Sequence, residues 1–148
     1  MAKAKRLFEI ANKLALGTPG FFESKGPGAG NLSTNKFIAK LGELAASEFG
    51  QDFSEQKICG NNSLAVDFYF PDEGVIVEIA LGLKRPATEY EKDILKAVMA
   101  KSLKHKVDGL VFIGKLGAIK KCNQPGRTAV KEWLLQTHGI QIEVFDLG

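Results

Sequence analysis

The chain has 148 residues, is 45% hydrophobic and carries a net charge of only +3. That is enough apolar material for one globular domain with a proper core, and too little charge for a global polyanion-binding argument. No apolar run approaches the roughly 20 residues that cross a bilayer, and Glu9, Asn12 and Lys13 interrupt the apolar residues of the basic start, so neither a membrane partner nor a signal peptide is expected. Cys59 and Cys122 are isolated, which suggests reduced thiols in a cytoplasmic protein rather than a disulfide framework or a zinc site.

In chain order, residues 3–16 read as an amphipathic helix with Leu7, Ile10, Ala11 and Leu14 on one stripe. The Gly/Pro-rich stretch GTPGFFESKGPGAGN follows; it lacks the GK[ST] ending of a P-loop and reads as a connector or flap. Ser33 or Thr34 is placed to cap a second helix, Asn35 to Phe49, which Gly50 ends. A short strand around Phe53–Ile58 leads into LAVDFYFPDEGVIVEIAL, residues 64–81. There, two runs rich in β-branched and aromatic residues flank the turn signal Pro71–Gly74, which predicts a β-hairpin.

A hairpin closed symmetrically on that turn pairs Phe70 with Val75, Phe68 with Val77 and Val66 with Ile79 on one apolar face, read as the core. The same register sets Asp67 opposite Glu78, on the face away from that core. Directly opposed Cβ atoms lie about 4.5–5.5 Å apart, where like charges repel. Ala65 and Ala80 leave space around them. Two such carboxylates suit a hard cation such as Mg²⁺ (or Mn²⁺), which takes one or two carboxylates and keeps several waters. The plain alternative is a solvent-exposed face on which the acids only improve solubility.

Beyond Leu81 the chain turns through Pro86 into a helix, with Thr88 and Glu91 spaced as a capping box. Gly109 to Gly114 is a fully apolar strand, and a loop with Lys115, Lys120, Lys121 and Arg127 precedes a helix from about Thr128 to Thr137. The alternating IQIEVFD is the last strand. Interleaved strands and helices imply an α/β fold, a central mixed sheet with helices on both faces, in a single domain. Residues 1–34 supply an N-terminal helix and Gly-rich loop, and 35–148 the core. His105 and His138 sit at helix C-termini, where they complement the dipole, so a hydrolase triad is not expected.

The order αβββαβ, with Asp67 in AVDFYF and Glu78 in VIVEIAL separated by ten residues, resembles the PD-(D/E)xK nuclease superfamily and its restriction-endonuclease-like fold. The resemblance spans roughly Asn35 to Gly114. It implies that Asp67 and Glu78 hold the metal of an Mg²⁺-dependent endonuclease acting on DNA, with a homodimer possible. One position departs from the pattern. The lysine expected two residues after the glutamate is Ala80, so a basic group must come from elsewhere or catalysis is lost. Lys96, then Lys92, on the next helix are the nearest rigid sources, and Lys84 lies in the loop before them. The resemblance also implies a glutamate on the first core helix: Glu43 is favoured over Glu48, which falls on the Phe37–Leu41–Leu44 stripe and should point inward. Backbone phosphate contacts are expected from Lys84, Arg85, the basic run 101–106, Lys120, Lys121 and Arg127. The competing expectation is a non-catalytic nucleic-acid-binding or assembly module on the same fold. A small-ligand domain built on the Gly-rich loop is a third, without an anchoring residue.

Overall fold

The structure is a computed structural model that describes residues 1–22, 29–81, 86–115 and 117–148, with residues 29–33 and 86–88 described by their backbone alone. Ten elements follow in order: α1 (Ala2–Leu16), α2 (Ala29–Phe49), β1 (Ser54–Gln56), β2 (Val66–Phe70), β3 (Val75–Ile79), α3 (Pro86–Ser102), β4 (Gly109–Lys115), α4 (Ala118–Cys122), α5 (Pro125–His138) and β5 (Gln141–Leu147). The strands form one five-stranded sheet in the order β1-β2-β3-β4-β5. β1, β2 and β3 run antiparallel, while β3, β4 and β5 run parallel, so the sheet is mixed as expected.

The hairpin forms in the anticipated register, with Phe68 opposite Val77 and Phe70 opposite Val75. Its turn needs Gly74, whose φ is +65°, and an added Cβ would meet Lys106 Cγ at 2.8 Å. The lysine stem can move, but the left-handed backbone cannot be relieved. Gly74→Ala should therefore lower stability by about 1–2 kcal/mol, read as a lower urea midpoint with an unchanged slope.

Both faces of the sheet are core, in line with helices on both faces and against the alternative of a solvent-exposed face. Phe68, Phe70, Val75 and Val77 pack with Leu7 and Ala11 of α1 and Phe37 and Leu41 of α2. Tyr69, Ile76 and Ala80 pack with Tyr90, Ile94 and Ala97 of α3 and Leu134 of α5. Val66, expected with Phe68, joins this second cluster. Each half of the hairpin's alternation is thus buried, as happens where crossover helices cover a partly parallel sheet.

Helix starts also differ from expectation. α2 begins at Ala29 rather than Asn35, so Ser33 and Thr34 lie inside it and cap nothing. Once nucleated, a helix gains a hydrogen bond per residue and extends over such neutral positions. α3 opens at Pro86, a residue suited to the first helical position, which puts Thr88 in the first turn and displaces the capping box. α5 likewise opens on Pro125, and the preceding loop contains the short helix α4. The N-terminus of α1 has no cap of its own. Glu73, from the hairpin turn, accepts the N–H groups of Lys3 (2.7 Å) and Ala4 (3.5 Å), and Lys3 Nζ pairs with Asp72.

Candidate functional site

Asp67 and Glu78 meet where the hairpin ladder stops. The last direct pair is Phe68 with Val77. One step further, the side chains replace the backbone bonds. The Asp67 N–H donates to Glu78 Oε1 (3.0 Å), and the Ile79 N–H donates to Asp67 Oδ2 (2.8 Å). Each carboxylate therefore satisfies a backbone donor of the facing strand. Solvent exposure of this face is excluded for Glu78, which is 3% exposed, while Asp67 is half-buried.

The basic group comes from α3. Lys96, itself only 7% exposed, lies with Nζ 2.6 Å from Glu78 Oε2. The same ammonium donates to the Ala65 carbonyl (2.9 Å) and pairs with Asp93 Oδ1 (3.2 Å), one turn earlier on the helix. The ammonium thus makes two hydrogen bonds, to Glu78 and Ala65, and an ion pair with Asp93. Ala80 occupies the position where the resemblance expects lysine, and it is buried against the α3 side of the sheet. The Cys59 thiol, also fully buried, donates to the Lys96 carbonyl (3.4 Å) and so backs the helix at this point.

Three carboxyl groups share one ammonium, and the acidities reflect it. Burial, then the charges of Asp93 and Asp67, push Glu78 up to about 9, with Lys96 pulling the other way. Burial also raises Asp67, against its bond from Ile79 and the charge of Lys96. For Lys96, burial favours loss of the proton, but the charges of Glu78 and Asp93 outweigh it and hold the pKa above the ordinary lysine value. Glu55, on edge strand β1 at φ +49°, adds a further acidic influence on Asp67.

Among the described residues, no three His, Cys, Asp or Glu side chains are grouped to hold a metal ion. The donor chemistry nevertheless fits a hard cation carried by two carboxylates and water. Asp67 Oδ1 accepts no hydrogen bond among the described residues, and the cluster holds more carboxylate than its one ammonium offsets. Asp67, with Glu78 beside it, would hold the ion.

Other expected residues lie elsewhere. Glu43 is exposed and its carboxylate faces Lys40 at 3.4 Å. α2 buries Phe37, Leu41 and Ala45 on the other face of the sheet, so Glu43 is not brought to the acids. Glu48, expected to point inward, instead lies on the surface 2.6 Å from Arg6 Nε. Lys92, one turn before Lys96 on α3, is exposed. Lys84 and Arg85 lie outside the described residues. Lys120 and Lys121 are exposed on α4. Arg127 is half-buried at the start of α5, donating to the Lys121 carbonyl (3.3 Å), while its Nε is buried without a partner among the described residues. It lines a cavity of about 610 Å³ with Tyr90 and Gln124, to which none of Asp67, Glu78, Asp93 and Lys96 contributes.

Asp93 and the Ala65 carbonyl are the site groups that sequence reasoning missed. The available signal for Asp93 was its i,i+3 spacing from Lys96. Among the described residues no helix is long and apolar enough to cross a membrane. No protein-family model matches the chain, and no curated protein or solved structure matches it significantly.

Proposed function

We propose that this chain is a metal-dependent nuclease that hydrolyses DNA phosphodiester bonds on a restriction-endonuclease-like core, in the cytoplasm, where its thiols stay reduced. The observation that carries the reading is the ammonium of Lys96 at 2.6 Å from Glu78, beside Asp67, with Ala80 in the position where a lysine is otherwise expected. A basic group delivered from α3 answers the one departure in the sequence pattern. Mg²⁺ or Mn²⁺, when bound, would supply an acidified water and neutralise charge developing on the scissile phosphate. Asp67 and Glu78 hold their carboxylates in register through the facing strand's N–H groups. Lys96 orients the Glu78 carboxylate and offers positive charge next to it. Of the cations expected on the DNA backbone, the basic run 101–106, Lys120 and Lys121 on α4 and Arg127 on α5 lie among the described residues; such contacts position without reading sequence.

A non-catalytic module on the same fold is favoured by one feature, the pairing of the buried Lys96 ammonium with acids of the protein itself. The two readings separate in a cleavage assay on supercoiled plasmid and duplex oligonucleotides with Mg²⁺ or Mn²⁺. Cleavage that requires the metal and is lost in both Asp67→Asn and Glu78→Gln is the expected result. DNA binding that persists without metal, with no cleavage under either cation, would overturn the nuclease reading in favour of the module.

A further inference from the structure

The Lys96 ammonium is surrounded by acceptors of the protein itself: it hydrogen-bonds the Ala65 carbonyl and Glu78, and Asp93 is ion-paired with it. A nuclease whose basic group must meet a phosphate has to release one of these acceptors. They are not equally easy to release. The Ala65 carbonyl belongs to the backbone leading into β2. Glu78 is almost fully buried and its other oxygen is held by the Asp67 N–H. Asp93 makes the longest contact, 3.2 Å, and has the most exposed side chain of the pair acids on Lys96, 14% against 3% for Glu78. It is also redundant in charge, since Glu78 already faces the ammonium. Its short side chain on a helix surface can turn toward water, where a carboxylate is well solvated.

We infer that Asp93 is an internal stand-in for the substrate phosphate: it is ion-paired with the Lys96 ammonium and gives way when the DNA backbone arrives. This rests on the nuclease reading of the same site and adds a competitor to it. In the free protein Asp93 keeps the ammonium aimed and satisfied. On binding, one anionic oxygen replaces another beside the same ammonium, so the Lys96 charge stays paired in the buried site. Binding then carries the cost of displacing Asp93, and removing its charge lightens that cost.

The test measures affinity for a short duplex oligonucleotide by fluorescence anisotropy in Ca²⁺, a hard cation that carboxylates also take. Asp93→Asn should tighten binding by about 3- to 10-fold, the scale of one charge-assisted contact. In Mg²⁺ the same variant should lower KM by more than it changes kcat. Glu91→Gln, which removes an exposed acid from the same helix, controls for net charge and should leave affinity nearly unchanged. In a Lys96→Met background the gain from Asp93→Asn should disappear; if that background does not fold, the comparison with Glu91→Gln decides. An equal gain from Glu91→Gln, a gain that persists without Lys96, or weaker binding and lower kcat in Asp93→Asn would each overturn the inference while leaving the nuclease reading intact. Failure of the wild type and every variant to bind or cut the duplex would overturn both together.

Discussion

Lys96→Met should slow single-turnover DNA cleavage by one to three orders of magnitude, about 2–4 kcal/mol of transition-state stabilisation, while divalent-cation binding survives. Methionine keeps much of the stem that crosses α3 toward the sheet but removes the charge beside Glu78. The same change tests stability. Breaking a buried ion pair by deleting one partner costs about 3–5 kcal/mol when the other charge is stranded. Here the loss should fall at or below the lower end, because Glu78, already pushed up to about 9, can keep a proton when Lys96 is gone. Single-turnover rates on oligonucleotides and urea melts of the same preparation separate the two effects. An unchanged rate in a folded Lys96→Met protein would remove Lys96 from the reaction.

The second large effect concerns pH. The folded-state pKa of Glu78 lies above its ordinary 4.5, at about 9, so between those values the folded chain holds a proton that the unfolded chain has released. Stability from this group is fully present below pH 4.5 and is lost as pH rises through about 9. Asp67, raised by burial, acts in the same direction. Metal-free protein should therefore lose about 1–3 kcal/mol on going from about pH 5.5 to about pH 8.5, the scale of a buried group short of partners. Glu78→Gln should flatten that slope, since a neutral amide has nothing to titrate. Mn²⁺ should raise the melting temperature more at the higher pH, where both carboxylates are available; a ligand at 100 times its Kd adds about 2.7 kcal/mol. A wild-type melt that is the same with and without Mn²⁺ at both pH values would count against a metal site.

These two effects rest on residues that were unequally legible in the sequence. The hairpin and its register could be read because alternation and turn chemistry are local, and Asp67 opposite Glu78 followed from them. Lys96 could be picked because a helix offers few positions from which a long side chain reaches back over a sheet. Asp93 could not, because its rotation toward the site depends on how α3 packs on Tyr69, Ile76 and Ala80, a tertiary fact. The burial of the acids was missed for a similar reason. A strand's pattern tells which residues share a face, but not whether a helix from elsewhere covers it. Glu43 was misplaced because its expected role came from likeness to a family, whereas the stripe Phe37, Leu41, Ala45 fixes which side of α2 faces the sheet. The helix starts were misjudged because Ser, Thr and Asn can cap a helix or sit inside one, and only neighbouring contacts decide which.

The reliance of α1 on Glu73 for its cap has a consequence for the order in which the molecule can be completed. Every strand lies beside the strand before it in the chain, so a sheet growing on the ribosome can add each new strand to a finished edge. α1 is the exception. The acceptor for its leading N–H groups lies about 70 residues downstream in the hairpin turn. Until that turn exists, the stripe of Leu7, Ala11 and Ala15 has no finished surface to cover, and α1 settles only after the hairpin that follows it. Such an interval leaves apolar surface exposed during synthesis, the condition under which nascent chains need chaperones.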